Sequence, residues 1–416
     1  MTCSGPGRPV TCKAPRVSLL LVVVALASAG PARAQDAPPP RLLSPEELAA
    51  ARPLTERGVV ALVEPSSAGT RANLLLLGRV GAEPDMVYQV VGQPDLYPEF
   101  MAGMTSAEVS SRRQNTLVYG WEWRTSHMAW RGVSAMALAP PRDIAVRIMH
   151  SDLGTGQFRW HFYPADDGTC LAAESVTMDL STGHRVIRWL ASRGSAMSAS
   201  VTLTLAIVLL EGSRERAVAR AGGQAPSAPA GSATTMTPGE IARLAPLLDR
   251  GAVVMLENGP DRSFRQAIVI EAVDAPRQRV VDLLHHPERW PEAVPVLSAL
   301  EVTGRDGSAM DARLVMNLSI FEVEGTVRFT PDENGVELRG TGGGLADLRL
   351  RFEALQLPDG RTVIQGTGRA HAARASFFLR QLVRVNPNFE RGLNSSAQLL
   401  FVRGLAAAVR EASGSR

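Results

Sequence analysis

The chain has 416 residues, 45% hydrophobic and 20% charged, which is enough apolar material for one or two compact domains and too much for a disordered chain. Residues 1–34 hold Arg8, Lys13, Arg16 and Arg33 and no acid, and the remainder carries 40 bases against 41 acids, a balance that does not point to a nucleic-acid binder. Lys13 is the only lysine, so a Walker-A phosphate loop and Schiff-base chemistry both lack their amine. With Cys3 and Cys12 in the leader, Cys170 stands alone, and no intrachain disulfide or Cys-rich zinc site can form after it is removed.

Residues 1–34 have the order of a secretory signal peptide: a basic start with Lys13 and Arg16, an apolar run from Val17 to Ala27, and small residues at Ala32 and Ala34 before Gln35. The run is about half the roughly twenty residues of a membrane span, so cleavage is expected rather than anchoring, with export to the periplasm or beyond. The ten residues Val201–Leu210 are likewise too few for a second span. Residues 35–52, with Pro-rich Ala37–Pro40, read as a linker.

Shifted by 193 residues, the sequence aligns with itself. Leu54, Arg57, Gly58, Val60, Glu64, Val80, Val87, Pro94, Pro98 and Glu99 recur as Leu247, Arg250, Gly251, Val253, Glu257, Val273, Val280, Pro287, Pro291 and Glu292, where chance would give roughly three identities. The same fold is therefore expected twice, over 53–220 and 241–415. Between them lies a linker, 221–240, rich in Ala, Gly, Ser, Thr and Pro.

In the first half a strand is expected over Arg71–Val80, short helices from Pro84 and Asp95, strands through Met178, and a helix from His184 to about Arg220. In the second, Phe264–Val273 alternates as a strand, Pro276 opens a helix to Leu284, and Pro287 opens another turn. Strand-like runs follow from Ser298, broken by Asp306-Gly307, Asn334-Gly335 and Asp359-Gly360. Arg374–Glu411 closes the half as a long helix interrupted near Pro387. The order defines an α+β fold: a curved antiparallel sheet wrapped around one long helix, with a cavity where the two cannot meet.

Asp95-Leu96-Tyr97-Pro98-Glu99-Phe100 resembles the D-x-Y-P-x-F segment of the START-like helix-grip proteins (the SRPBCC superfamily), in their coenzyme Q-binding and polyketide cyclase/aromatase-like branch. The second half keeps a degraded version, His286-Pro287-Glu288-Arg289-Trp290-Pro291-Glu292, with Trp290 in the place of Tyr97. What the resemblance implies is two tandem helix-grip domains and a pocket for a hydrophobic small molecule or lipid, in some members adapted to cyclisation or dehydration of polyketides; transient membrane contact is a separate expectation, and no cofactor is expected.

Tyr97, Phe100, Trp121, Trp123, Trp130 and Trp160 cluster in the first half, and Trp121 and Trp123, two apart on a strand, share a face. Aromatic walls suit a flat or isoprenoid ligand, although strands favour aromatics in any case. Tyr97, Phe100, Trp121, Trp123 and Trp130 are the expected ligand contacts there; Trp290, Met316, Leu318, Leu400 and Phe401 are their second-half counterparts. Phe321 has the opposite parity, and Glu122 points away from the tryptophans on either side of it. Val201, Leu205, Val208 and Leu209 form the helix stripe of the first half.

None of the seven histidines has H-E-x-x-H spacing, no Ser-His-Asp order or G-x-S-x-G elbow is present, and no metal site is expected. The leading expectation is an exported protein that binds or transfers hydrophobic small molecules, such as lipids, quinones or polyketide-like compounds. One alternative is a cyclase/aromatase-type enzyme, which would need an ionisable group facing the cavity. The other is a protein-interaction module with collapsed cavities.

Overall fold

The computed structural model describes residues 41–66, 69–125, 128–223, 235–259, 263–317 and 322–414. The leader, residues 224–234 of the linker, Leu318 and Phe321 lie outside these described residues. Each half opens on a helix begun by a capping box. In α1 (Pro45–Thr55) the Ser44 hydroxyl accepts the Glu47 N–H while the Glu47 carboxylate accepts the Ser44 N–H. Thr237 and Glu240 repeat this at α5 (Pro238–Ala242), 193 residues on. The repeat therefore starts at Ser44 and Thr237, and residues 45–52 and 238–240, expected as linker, are helical.

The first half continues with β1 (Gly58–Glu64), β2 (Arg71–Val80), α2 (Pro84–Val91), a 3-10 turn at Pro94–Glu99, and six strands. These are β3 (Met104–Arg113), β4 (Thr116–Arg124), β5 (Ala129–Ala139), β6 (Asp143–Ser151), β7 (Thr155–Pro164) and β8 (Cys170–Asp179). The expected closing helix is two helices, α3 (Arg185–Ala191) and α4 (Ser195–Arg220), because the chain turns at Gly194 with φ +114°. After α5 come α6 (Ala245–Leu248), β9 (Ala252–Asn258), β10 (Phe264–Val273), α7 (Arg277–His285) and α8 (Trp290–Ala293). Then follow β11 (Leu297–Asp306), β12 (Ala309–Asn317), β13 (Glu322–Pro331), β14 (Gly335–Gly343), β15 (Arg349–Gln356) and β16 (Thr362–Arg369). The half ends in α9 (Ala372–Ala375), α10 (Phe377–Val385) and α11 (Asn388–Gly414).

The chain folds as two tandem helix-grip domains, and their sheets run into one another. Sixteen strands form one antiparallel sheet in the order β11 to β16, β10, β9, β1, β2, β8 down to β3. The join is β1 against β9, with Ala61 opposite Val254, its own counterpart in the repeat, and Val60 opposite Met255 as Leu62 is opposite Val253. A pseudo-two-fold axis passes through this seam.

The repeated residues found in the sequence hold the seam together. Arg57 pairs with Glu257 at 2.8 Å and Arg250 with Glu64 at 2.5 Å, the same contact made twice, and Arg250 also reaches Glu47 at 3.0 Å. A Cβ on Gly58 would lie 1.7 Å from the Leu256 carbonyl oxygen, and one on Gly251 would lie 2.2 Å from that of Val63, so only glycine admits the neighbouring strand at either end.

Both faces of the seam are buried. On one side Val60, Leu62, Val253 and Met255 pack under Ala51, Leu54, Ile241, Leu244 and Leu247 from the entry helices; on the other, Val59, Ala61, Val254 and Leu256 join the main core. This double burial is why β1 and β9 read as unbroken apolar runs without alternation.

The long helices lie on the main-core face, α4 over β2 and α11 over β10, and they also pack on each other. Gly392 approaches Thr204 closely enough that a Cβ would stand 2.8 Å from its methyl, and the Ser396 hydroxyl donates to the Ser200 carbonyl at 2.6 Å. By length and composition α4 could cross a bilayer, which the ten-residue run Val201–Leu210 did not suggest; its Ser, Thr and Ala flanks extend it, and 72% of its most apolar window is buried inside the fold.

Candidate binding cavity

A cavity of about 100 Å³ lies between α4 and the concave face of β3 to β8 in the first half. Its walls are Tyr97, Tyr119, Trp121, Trp123 and Trp160, with Met101, Met104 and Met178 filling the corners and Leu205 and Leu209 closing it from the helix. Ser134 and Ser213 add small hydroxyls to an otherwise apolar lining.

The aromatic positions are built in. The Tyr97 hydroxyl donates to the Val91 carbonyl at 2.6 Å, and its ring meets the rings of Phe100 and Tyr119 edge to face at 5.7 Å and 6.3 Å. The Trp121 indole N–H donates to the Ser134 hydroxyl at 3.1 Å, and its ring occupies the space a side chain at Gly132 would need, with a Cβ there only 2.3 Å away. Burial holds the Tyr97 hydroxyl well above its usual range and pushes that of Tyr119 up to about 12, so both phenols are neutral hydrogen-bonding groups.

The second half braces this wall. Phe389, in the first turn of α11, packs its ring 6.0 Å from that of Trp123, and the Asn386 amide donates to the Ala102 carbonyl at 3.3 Å. Between them Gly103 adopts φ +91°, and a Cβ there would stand 2.2 Å from the Trp123 indole nitrogen and 3.0 Å from a Val385 methyl.

The expected ligand contacts thus divide. Tyr97, Trp121 and Trp123 line the cavity. Phe100 supports Tyr97 from behind, under the Arg216 guanidinium at 5.8 Å, and Trp130 lies opposite Trp123 on β5, partly buried against the core; neither is in the lining. Glu122 points to the convex face, as its parity requires, and pairs there with Arg124 at 2.5 Å and Arg131 at 2.8 Å.

In the second half the corresponding residues are packed on one another. Trp290 is fully buried, with its ring 5.7 Å from Phe329, 5.5 Å from Phe352 and 6.1 Å from Phe401, and its indole N–H on the Leu283 carbonyl. Leu400 is buried in the same core, and Met316 packs at its margin. The second-half contacts expected for a ligand are therefore core contacts: the rings that a pocket would present to its occupant meet each other instead.

Sequence reasoning missed the most unusual residue of the first half, Glu174. It lies on β8 with its side chain on the main-core face, the face of Ala172, Val176 and the cavity-lining Met178. It is fully buried, and neither carboxyl oxygen has a hydrogen-bond partner among the described residues. Burial drives its pKa well above the usual carboxylate range, which favours the protonated form, and it stands close enough that its charge would disturb the Tyr97 hydroxyl. Trp160, which lines the cavity, is its partner across the strands. In the second half the equivalent cross-strand pair is Phe352 with Gly366, and a Cβ on that glycine would already meet Val402 at 2.8 Å and the Phe352 ring at 3.0 Å.

Among the described residues no histidine lines the cavity. His161 pairs with Asp143 at 3.0 Å, His286 with Glu288 at 3.2 Å and His371 with Glu390 at 3.3 Å. Among the described residues no group of three His, Cys, Asp or Glu side chains could hold a metal ion.

A curved antiparallel sheet gripping a long helix is present twice, with an aromatic cavity in the first copy and rings packed on one another in the second, and this arrangement is a helix-grip fold. Residues 80–207, within the first half, match the model of the family described as polyketide cyclase / dehydrase and lipid transport. No curated protein matches the chain in sequence. Among solved structures the chain is similar to the Zhui aromatase/cyclase of Streptomyces sp. R1128, at 16% identity over 37% of this chain and 99% of that one, with a TM-score of 0.31. It is also similar to the di-domain aromatase/cyclase StfQ of the steffimycin biosynthetic pathway, at 10% identity over 82% and 99% of the two chains, TM-score 0.27. A STAR-related lipid transfer protein from Xanthomonas axonopodis matches at 13% identity over 38% and 93%, TM-score 0.31.

Proposed function

We propose that this is an exported protein whose first half binds a small, flat, largely apolar molecule and whose second half is a ligand-free brace for it. The aromatic cavity beside Trp121, Trp123 and Trp160 carries the reading, and the signal-peptide order of residues 1–34 supports export. Size narrows the occupant. An apolar cavity of roughly 150 Å³ takes benzene, whereas drug-sized ligands occupy about 300–1,000 Å³. At about 100 Å³ the site suits at most a single small ring or the leading end of an isoprenoid or acyl chain, and a fused ring system or a two-tailed lipid would require its walls to open.

Transient contact with an anionic membrane belongs to this reading. Its support is α10, which exposes Phe377 beside Arg380 and Arg384 and contains no acid. Co-sedimentation with anionic vesicles that is lost in Phe377→Ser is the expected result.

The test of binding is to purify residues 35–416, extract the protein with organic solvent and identify the extract by mass spectrometry. One ring compound per chain is expected. An empty extract, together with unchanged tryptophan fluorescence on titration with ring compounds, would overturn the reading in favour of an interaction module. One observation favours a second reading, catalysis: cyclising a poly-β-ketone moves protons on and off carbon, and Glu174 is an ionisable group buried across the strands from the cavity-lining Trp160. Turnover of a poly-β-ketone analogue that disappears in Glu174→Gln would establish it.

A further inference from the structure

A second cavity, of about 300 Å³, opens at one end of the seam, between the close of β1, the turn from α6 into β9, the end of β10 and α11. Its charged walls are Arg250, Arg403 and Arg410, with Glu271 and Asp249. Two of these are already matched: Arg250 gives its guanidinium to Glu64 and Glu47, and Asp249 takes Arg361 at 2.5 Å. What remains is a pair of guanidiniums, two turns apart on one face of α11, that share the carboxylate of Glu271. Arg410 reaches it at 2.7 Å and Arg403 only at 3.6 Å, outside hydrogen-bond range.

Arg403 is the costly member. Its side chain is 13% exposed, yet among the described residues its one hydrogen bond runs from Nη2 to the Val63 carbonyl at 2.7 Å. Burial lowers its pKa, the charge of Arg410 adds to that, and Glu271 offsets them only in part. The first half shows that the fold does not require this arrangement. The Ser200 and Ser396 hydroxyls each donate to the other's carbonyl, which sets the long helices in register at an offset of 196. On that register Arg410 corresponds to Arg214, and both donate to the next-to-last carbonyl of the strand beneath, Ala272 and Arg79. Arg403 then corresponds to Ile207, fully buried in the core, and Glu271 to Gly78. The second half therefore carries a cation and an acid where the first packs a hydrocarbon side chain against a glycine.

Two guanidiniums on one carboxylate leave a positive charge and unused N–H groups at a cavity wall. An oxyanion answers both, because its oxygens accept paired N–H bonds from a planar guanidinium. We propose that this cavity binds a small solute through an oxyanion, a phosphate or carboxylate group, held between Arg403 and Arg410. Glu271 draws the two guanidiniums together against their mutual repulsion. The site is separate from the aromatic cavity of the first half, with which it shares no lining residue.

The experiment titrates the full exported chain with inorganic phosphate and with succinate by calorimetry, at an ionic strength fixed with chloride. Wild type is compared with Arg410→Gln, a change at an exposed position, and with the double variant Arg403→Ile with Glu271→Gly, which installs the residues of the first half. The wild type is expected to take up one anion per chain, Arg410→Gln to bind it about tenfold more weakly, and the double variant not to bind it. Thermal unfolding supplies a second readout: the bound anion raises the wild-type midpoint above that in matched chloride and leaves the midpoint of the double variant where it was. Saturable binding of either anion in this order of variants supports the inference, and the tighter of the two names the group the site takes. No saturable binding of either anion by the wild type, or wild-type affinity in Arg410→Gln, overturns it.

Discussion

The two halves share a fold and a seam, yet differ where it matters for chemistry. At the cross-strand position where the first half places Trp160 beside Glu174, the second places Phe352 beside Gly366. One arrangement keeps a void and a buried acid without a hydrogen-bond partner, at the cost of stability; the other closes four aromatic rings, Trp290, Phe329, Phe352 and Phe401, into a core. A helix-grip fold is thus not a cavity by virtue of its topology. The cavity depends on side-chain volume at a few inward positions, and the filled copy gives the stability that the open copy gives up.

The largest effect that would sharpen this contrast comes from emptying the filled half. Phe352→Ala, at a fully buried site, is expected to lose about 4 kcal/mol in denaturant unfolding while binding in the first half persists. A loss below about 1 kcal/mol would mean that the second core is looser than its rings imply.

Next comes the seam, whose two ends make the same ion pair at different depths. Glu257 is fully buried and Glu64 is about a quarter exposed, so Glu257→Ala is expected to cost about 3 kcal/mol and Glu64→Ala about 1 kcal/mol. Equal costs would contradict the asymmetry.

Removing the acid of the open half acts in the opposite direction. Glu174→Leu is expected to stabilise the protein by about 1–3 kcal/mol at neutral pH. The pH dependence has a definite sign: above the ordinary carboxylate value of 4.5 the unfolded chain gives up this proton and the native state keeps it. The native state then binds more protons, so stability falls as pH rises from there until the native carboxyl ionises, and Glu174→Gln is expected to lack this component. A Gln variant with the wild-type pH profile would place the titration elsewhere.

The smallest effect is kinetic. Cys170 lies only in the open half, buried, with its thiol pushed up to about 12 by desolvation. Thiol labelling of the native chain is expected to be slow and to report opening of the first half alone, so that Phe352→Ala leaves its rate nearly unchanged. Acceleration equal to the loss of global stability would mean that the halves open together.

Much of this fold was readable in the residues. Arg71–Val80 and Phe264–Val273 are strands over the ranges their patterns indicated, and the residues repeated 193 apart are those that meet across the seam. The runs Val59–Val63 and Val253–Leu256 were unreadable as strands, because burial on both faces removes the alternation that marks one. In the site, parity placed Trp121 and Trp123 together and Glu122 outside. The same parity puts Glu174 on the face of Val176 and Met178, a signal that becomes informative only when the face is known to be interior. That Trp290 belongs to a filled core was beyond one-dimensional reading, because it depends on rings from β13, β15 and α11 meeting at one point.

The seam also sets a schedule for the newborn chain. β1 is complete nearly two hundred residues before β9, its hydrogen-bonding neighbour, has been made, an interval on the order of tens of seconds at roughly 5–20 residues per second. Throughout it the first half presents an unpaired strand edge carrying Val-Val-Ala-Leu-Val, a template for any other β-rich chain nearby. The counterpart that finally covers that edge is a near copy of it, so two unfinished chains can each offer the other a matching strand, and crowding during synthesis is the point at which this architecture is most exposed to mispairing.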